Sequence, residues 1–196
     1  MRYSAVKDLV RTGDVLAFRG TWLFSRLIRW YSRQPVSHVG LAVWLRIGEE
    51  TEDRLCVLEA MEGYGVRLLP LAHALGDYWT HGGAAWWCPL RDLYDGEEGV
   101  GYALAQWGGE YASPYQFAVL MSPTLQRLRH LLGRPDHVGG PDRFHCSELV
   151  SRSLAFAGAS IPKPACYMTP GDVICLPALR PGILIEPDPE QPSVGD

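Results

Sequence analysis

The sequence predicts a single α+β domain in which an antiparallel sheet packs against helices. Three observations lead to this prediction. The length of 196 residues is that of one domain. Strand patterns are grouped between helical patterns at both ends of the chain. The 21 glycines and 15 prolines indicate many turns and short elements. We place the domain at residues 1–186 and expect a loose, Pro-rich and acidic tail at residues 187–196.

Hydrophobic periodicity and end signals predict the helices. Apolar residues recur on one side of the segment 22–33. A Ser-Pro pair at 122–123 is typical of a helix start, as is the Thr-Pro pair at 169–170. Gly158 is a helix-end signal. The predicted helices are residues 4–11, 22–33, 97–107, 122–132, 146–157 and a short one opening at 169–170.

The strands are predicted from runs of β-branched, aromatic and other apolar residues. The runs HVGLAVWL and LCVLEA flank the polar hairpin GEETED, and a third run is stopped by Pro70. The predicted strands are residues 14–18, 38–45, 55–60, 66–69 and 84–90.

Composition and motifs argue against several classes of protein. A net charge of −4 argues against a nucleic-acid binder, which would need a basic face. The five cysteines show neither a CxxC pair nor the spacing of a zinc site, so we expect no metal and no cofactor. A signal peptide and an 18-residue apolar run are both absent. We expect a cytoplasmic protein with reduced thiols; export by another route and the oligomeric state stay open.

Cys146 is the strongest candidate nucleophile. It begins a predicted helix in the segment FHCSELV, where backbone N–H groups and the helix dipole favour an anion such as a thiolate. The same N–H groups can donate to an oxyanion. A cysteine at a helix start is by itself more often structural, so this assignment needs a partner. The remaining cysteines lie in apolar or Pro-rich segments and are expected to be structural: Cys56, Cys88, Cys166 and Cys175.

A base and an orienting carboxylate are found on neighbouring predicted strands. His38 begins one strand, where Gly40 permits close approach of the backbone. Glu59 lies on the next strand, and an even-length tight loop would place it on the same face as His38. A carboxylate in a hydrophobic run is costly unless an imidazole or similar group pairs with it. The alternative is an edge strand with Glu59 in water. His145 is a poorer candidate base, because adjacent side chains on a helix point about 100° apart and His145 would not face Cys146.

Five segments together carry a family resemblance over about residues 12–160: GDVLAF (13–18), SHVGLAV (37–43), VLEA (57–60), GGEYASPY (108–115) and FHCSELV (144–150). They resemble the motifs of NlpC-like cysteine peptidases of the papain-like superfamily. Because the His motif precedes the Cys motif, the order is similar to that of the circularly permuted branch, in particular its YiiX-type members. Two departures stand out: His145 replaces the Asp that precedes Cys in the cell-wall enzymes, and the Tyr motif is loose.

The resemblance implies a permuted papain-like (NlpC-like) fold with Cys146 as nucleophile, His38 as base and Glu59 as the orienting residue. It also implies that Tyr111 or Tyr115 lies near the thiol. Two serines of the same motifs are expected beside the site: Ser37 and Ser147.

The resemblance implies a thiol hydrolase, a cysteine peptidase or amidase, that works through a thioester. Two alternatives stay open: a lipid acyltransferase or thioesterase on the same triad, and a non-catalytic binding module. The expected substrate is a small peptide, a cell-wall peptide or an acyl lipid. The helix 22–33 mixes aromatic residues with arginines, as an interfacial helix would. We expect instead a core helix whose arginines reach water, and peripheral membrane contact stays the alternative.

Overall fold

The computed structural model describes residues 1–45, 53–112, 122–132 and 143–189. The helices in these ranges are α1 (Tyr3–Lys7), α2 (Leu23–Ser32), α3 (Leu71–Thr80), α4 (Gly96–Leu104), α5 (Pro123–Leu131), α6 (Cys146–Phe156), α7 (Pro170–Ile174) and a 3-10 helix at Ala165–Tyr167. The strands are β1 (Val15–Arg19), β2 (His38–Leu45), β3 (Arg54–Met61), β4 (Gly65–Pro70), β5 (Ala84–Cys88), β6 (Glu110–Tyr111), β7 (Arg143–Phe144) and β8 (Ile183–Ile185). Within the described ranges, no helix has both the length and the apolar character needed to cross a bilayer.

The described strands form one six-stranded antiparallel sheet in the order β4-β3-β2-β1-β5-β8, and β6 and β7 form a separate parallel pair. Strands β2 and β3 lie inside the larger sheet, each with a neighbour on both sides. Most of their residues are buried, which explains why both read as nearly continuous apolar runs. The α+β prediction with an antiparallel sheet packed against helices is confirmed.

Alternate side chains of the sheet enter two hydrophobic clusters. On one side, Leu41 and Leu58 pack with Leu149 of α6. On the other side, Val57 packs with Leu75 of α3. Fully burying each such side chain stabilises the fold by about 1.5–3 kcal/mol. These contacts fix α6, and therefore Cys146 at its first residue, relative to the sheet.

The predicted elements recur in the structure, with several corrections. The helices predicted at 4–11 and 97–107 end earlier, at Lys7 and Leu104. Helix α3 is absent from the sequence prediction, because Pro70 before it and Gly76 within it are residues that usually interrupt a helical pattern. The strands β6, β7 and β8 have only two or three residues each, too few for a periodic pattern.

The first residues of the expected tail contact the chain's N-terminus. Arg2 donates a hydrogen bond to the carbonyl oxygen of Pro187, at 2.6 Å between nitrogen and oxygen. The hydroxyl of Ser4 donates to the carboxylate of Asp188, at 2.7 Å. Residues 190–196 of the expected tail lie outside the described ranges.

Candidate active site

The pairing of β2 with β3 decides where His38 and Glu59 point. Leu41 lies opposite Leu58, so these two side chains share one face of the sheet. His38 is three residues before Leu41 and Glu59 is one residue after Leu58. Because side chains alternate along a strand, His38 and Glu59 both lie on the other face. The structure thus brings the two predicted residues together.

The imidazole of His38 is joined to the carboxylate of Glu59. His38 Nε2 lies 2.7 Å from Glu59 Oε2. An ionised carboxylate only accepts hydrogen bonds, so the imidazole N–H donates. A side chain at Gly40 would lie 3.2 Å from Glu59 Cβ and would clash with Val57. A glycine at position 40 therefore lets β2 and β3 approach closely beside this pair.

Glu59 also has a second cationic partner, Arg67. The two residues lie directly opposite each other in the pairing of β3 with β4. Arg67 Nε and Nη2 donate to Glu59 Oε1, at 2.9 and 2.7 Å. The guanidinium group of Arg67 also lies 4.3 Å from the ring centre of Tyr64. The alternative of an edge strand with Glu59 in water is wrong, since its side chain is 1% exposed and β3 lies inside the sheet.

The pKa of Glu59 reflects these two partners. Burial by itself raises the pKa of the carboxyl, but His38 and Arg67 lower it by charge and by hydrogen bonding. The net pKa lies below the usual value of 4.5. Glu59 is therefore a buried carboxylate that stays ionised at neutral pH.

Cys146 is held next to His38 by the start of α6. The residue is 5% exposed and belongs to the same apolar cluster as Leu149. Cys146 is a neighbour of His38 and raises the pKa of its imidazole by charge and by hydrogen bonding. Because Nε2 of His38 is bound to Glu59, Nδ1 is the nitrogen left for the sulfur. Sulfur, imidazole and carboxylate thus form one continuous chain.

The pKa of His38 is raised well above its usual value of 6.5. Burial by itself lowers this pKa, and the neighbouring Tyr78, Cys146 and Glu59 raise it. Burial raises the pKa of the Tyr78 hydroxyl, so that group carries no charge at neutral pH. The Glu59 carboxylate and the Cys146 sulfur are therefore the groups that favour a protonated His38 at neutral pH.

His145, the residue before the candidate nucleophile, has a different task. It is the N-cap of α6, and its Nδ1 accepts the backbone N–H of Glu148 at 3.2 Å. Nε2 lies 3.1 Å from the carbonyl oxygen of Cys166, to which an N–H must donate. Burial lowers the pKa of His145. A neutral imidazole thus caps the helix that presents Cys146.

Of the other predicted site residues, two border the groove described below, one is buried away from it and one lies outside the described ranges. Tyr111 borders the groove described below, and burial raises the pKa of its hydroxyl, with the Cys146 charge adding to the effect. Ser37 borders the same groove, and its hydroxyl accepts the backbone N–H of Gly20 at 2.9 Å. Ser147 is fully buried and donates to the carbonyl oxygen of Met168 at 2.6 Å. Tyr115 lies outside the described ranges.

An open groove of about 730 Å³ leads to the His38–Glu59 pair. One wall comes from α2 and the opposite wall from α3 and β4. Its apolar and aromatic lining comprises Trp22, Phe24, Ile28, Met61, Tyr64, Leu69, Ala74, Tyr78 and Tyr111. The groove can therefore hold a largely apolar group beside the site.

Two expectations from sequence need correction around this site. Helix α2 is not a core helix, because Ile28 is its one buried residue. Cys175 is exposed, whereas Cys56, Cys88 and Cys166 are buried as expected of structural cysteines.

Sequence reasoning missed Arg67 and Tyr78. The signal for Arg67 was available, because a short Gly-containing loop after Met61 predicts a tight hairpin that pairs Glu59 with Arg67. Tyr78 gave no such signal, since it lies on the unpredicted helix α3 and reaches the site by packing on Phe18, with 4.6 Å between ring centres.

No group of three or more His, Cys, Asp and Glu side chains that could hold a metal ion occurs in the described part of the chain. At the candidate site, the sulfur and the carboxylate face opposite nitrogens of the His38 ring. A metal ion bound to one of these nitrogens could therefore take Cys146 or Glu59 as a second ligand, but not both. The donor set of the described residues does not fit a metal centre.

Comparison with known proteins supports the fold. Searches found no matching family model and no matching curated protein. Among solved structures, the chain is similar to the crystal structure of the metalloprotein yiiX from Escherichia coli O157:H7. The sequence identity is 15% and the TM-score 0.58, over 89% of this chain and 96% of that one. The chain therefore has a YiiX-like fold.

Proposed function

We propose that this protein is a cysteine hydrolase with a circularly permuted papain-like arrangement. In this proposal Cys146 is the nucleophile, His38 the general base and acid, and Glu59 the residue that orients His38. One observation carries it: a continuous chain of contacts joins Cys146, His38 and Glu59 beside an open groove. The order of His before Cys in the sequence supports the permuted arrangement.

In the reactive form of the site, Nδ1 of His38 already holds the proton of the Cys146 thiol, and the raised pKa of His38 favours this form. The thiolate attacks the substrate carbonyl carbon, and the carbonyl electrons move to the oxygen. The oxyanion then collapses, the bond to the leaving nitrogen or oxygen breaks, and the imidazolium of His38 gives its proton to the leaving group. A thioester on Cys146 is left.

Water resolves the thioester. His38 removes a proton from water, and the resulting hydroxide attacks the thioester carbonyl. The carbon–sulfur bond breaks, and the thiolate recovers a proton from His38 as the acid product leaves. The backbone N–H of Cys146, in the first turn of α6, is the proposed donor to the oxyanion in both steps.

The YiiX protein is called a metalloprotein, and we route no step of the proposed reaction through a metal. The donor set of the described residues does not fit a metal centre, as set out above. The proposed chemistry therefore uses the Cys146 sulfur and the two side chains aligned behind it.

A second candidate function is a lipid acyltransferase or thioesterase that uses the same triad. The apolar lining of the groove favours it, because an acyl chain is largely apolar. In this version an alcohol, amine or thiol acceptor replaces water in the second half of the reaction. The nucleophile, base and orienting acid suit either bond, so an ester and a peptide amide are both tested.

Selective alkylation tests the proposed nucleophile without a known substrate. After brief exposure to iodoacetamide at pH 6.5, Cys146 is expected to be labelled about tenfold or more faster than Cys175 and Cys88. Cys175 is the control for access because it is exposed. Cys88 is the control for a protonated thiol, since burial raises its pKa to about 12.

The result is read by peptide mapping. Labelling of Cys146 no faster than that of Cys175 would contradict the proposal and support a non-catalytic binding module. A positive result is followed by hydrolysis assays with p-nitrophenyl butyrate and a peptide p-nitroanilide. Cys146→Ala should abolish turnover of whichever substrate reacts.

A further inference from the structure

The outward face of α2 carries an apolar stripe in contact with water. Leu23, Leu27 and Trp30 are 81%, 47% and 76% exposed. Their spacing of four and three residues places them on one side of the helix. Trp22, just before the helix, is 73% exposed. A soluble surface rarely exposes so many large apolar side chains in one stripe, so this face is suited to contact another apolar phase or molecule.

Helix α2 carries Arg26 and Arg29 and no acidic residue, although the whole chain has a net charge of −4. Arg26 is exposed, and helical spacing places it along one border of the stripe. Arg33, the exposed C-cap residue, directly follows the last turn of the helix. No Asp or Glu occurs in the sequence from residue 15 to residue 48. Aromatic and aliphatic side chains bordered by arginines are the pattern of helices that lie in the interface of an anionic membrane.

A second side of the same helix faces the groove. Phe24 and Ile28 of α2 line the groove that leads to His38 and Glu59. The helix therefore separates its exposed stripe from the candidate site by its own width, about 10 Å. A lipid bound against the exposed stripe therefore lies about one helix width from the groove, so its acyl group can reach the groove by moving around α2.

We propose that α2 binds the surface of an anionic lipid membrane and delivers a phospholipid acyl ester to the groove. The arginines contact the headgroup phosphates, and the apolar stripe enters the acyl boundary. This inference rests on the proposed function for its chemistry and names the substrate class. The bond attacked is an acyl ester. The Cys146 sulfur takes the acyl group as a thioester, the lysophospholipid leaves as an alcohol with a proton from His38, and water then releases the fatty acid.

Vesicle cosedimentation tests the membrane contact independently of catalysis. The wild-type chain should bind vesicles of equal parts phosphatidylcholine and phosphatidylglycerol and bind pure phosphatidylcholine vesicles at least tenfold more weakly. The double variant L23S/W30A should lose at least tenfold in binding to the mixed vesicles. Both side chains are mostly exposed, so the fold should survive, which thermal melting checks.

The matched control is L93S/W107A. Leu93 and Trp107 are 85% and 61% exposed and lie outside α2. This variant should bind mixed vesicles within about twofold of wild type. The charge reversal R26E/R33E should remove the preference for the anionic vesicles, and R54E, an exposed arginine on β3, should keep it. Equal loss in test and control variants, or no wild-type binding, would overturn the inference.

Two further measurements separate this inference from the proposed function. Cys146→Ala should bind mixed vesicles like wild type but release no fatty acid from phosphatidylglycerol. Vesicle binding without selective Cys146 labelling would defeat the proposed hydrolase while leaving the membrane contact in place. Selective labelling without vesicle binding would defeat the membrane contact alone. Vesicle binding with labelling but without fatty acid release would overturn the phospholipid ester as substrate.

Discussion

Among the described residues, two clusters each combine a buried His and a buried Glu with a partly buried Arg, and the pKa values of the two histidines are shifted in opposite directions. The first is His38, Glu59 and Arg67; the second is His145, Glu148 and Arg152. Both glutamates are 1% exposed. In both clusters an arginine donates two hydrogen bonds to one oxygen of the glutamate. The composition of the clusters therefore cannot explain the difference in charge.

Geometry explains it. His38 Nε2 lies 2.7 Å from Glu59, and the Cys146 sulfur contacts the other side of the ring. Both neighbours favour the imidazolium, so the pKa of His38 is raised. His145 Nε2 lies 3.7 Å from Glu148, and its Nδ1 must accept the N–H that the helix start presents. An accepting nitrogen carries no proton, so the second histidine is kept neutral.

The comparison shows that two histidines in clusters of the same composition can have different tasks. His145 sits beside the candidate nucleophile in the chain, but its ring is used to hold the helix. His38 is 108 positions away in sequence, and its ring is used to contact the sulfur.

Replacing each histidine in turn should give the largest difference between the two clusters. His38→Ala is expected to slow iodoacetamide labelling of Cys146 at pH 6.5 by about 100-fold, because the base contributes roughly 10²–10⁴. His145→Asn, which keeps an N-cap acceptor, should leave the labelling rate within about threefold. Peptide mapping over time measures both rates. Equal slowing in the two variants would show that the clusters do not differ in role.

The arginines should differ in their effect on stability. Arg152→Met removes two hydrogen bonds to the buried carboxylate of Glu148, and the neighbouring His145 is neutral, so we expect a loss of about 3–5 kcal/mol in unfolding free energy. Arg67→Met leaves Glu59 with the protonated His38, and the expected loss is about 1–3 kcal/mol. Urea denaturation of both variants decides the order. A larger loss for Arg67→Met would contradict this account of the charges.

Glu59→Gln should have a moderate effect that depends on pH. The pKa of His38 is raised, so its stabilising effect is complete below about pH 6.5 and is lost as pH rises through the folded pKa. The pKa of Glu59 is lowered, so its effect is complete above about pH 4.5 and is lost as pH falls through the folded pKa. The wild type should therefore exceed Glu59→Gln in stability most between about pH 4.5 and 6.5.

The same variant gives a rate measurement. An amide still accepts one hydrogen bond but no longer stabilises the imidazolium by charge, so we expect Cys146 labelling to slow by about tenfold. Thermal melting across pH and labelling at pH 6.5 are the two measurements. Melting and labelling equal to wild type at every pH would remove Glu59 from the site and leave a Cys146–His38 pair.

The smallest expected effect is a change in the stabilising contribution of His145 at acidic pH. The pKa of His145 is lowered in the fold, so its neutral form stabilises the fold fully above about pH 6.5. That stabilisation is lost as pH falls through the folded pKa. The advantage of wild type over His145→Asn should therefore shrink by about 1 kcal/mol between pH 7 and pH 5. Urea denaturation at the two pH values measures it; a growing advantage would indicate a protonated His145.

The sequence by itself determined the α+β class, most element positions and the candidate triad. The strand β2 was predicted with the bounds that the structure has, because its eight apolar-rich residues carry a strong local signal. The shared face of His38 and Glu59 also followed from sequence, since alternation along a strand has a period of two and needs only the parity of the register. Cys146 was placed at a helix start by the pattern that follows it.

Only the tertiary structure decided the charges and the surroundings of the site. The pKa directions of His38 and His145 depend on distances of 2.7 and 3.7 Å between side chains of the same types, which no spacing in the sequence encodes. The exposure of α2 was also decided there. An amphipathic helix fits a core or a lipid interface equally well by pattern, and only the packing of its neighbours fixes which side chains remain in water.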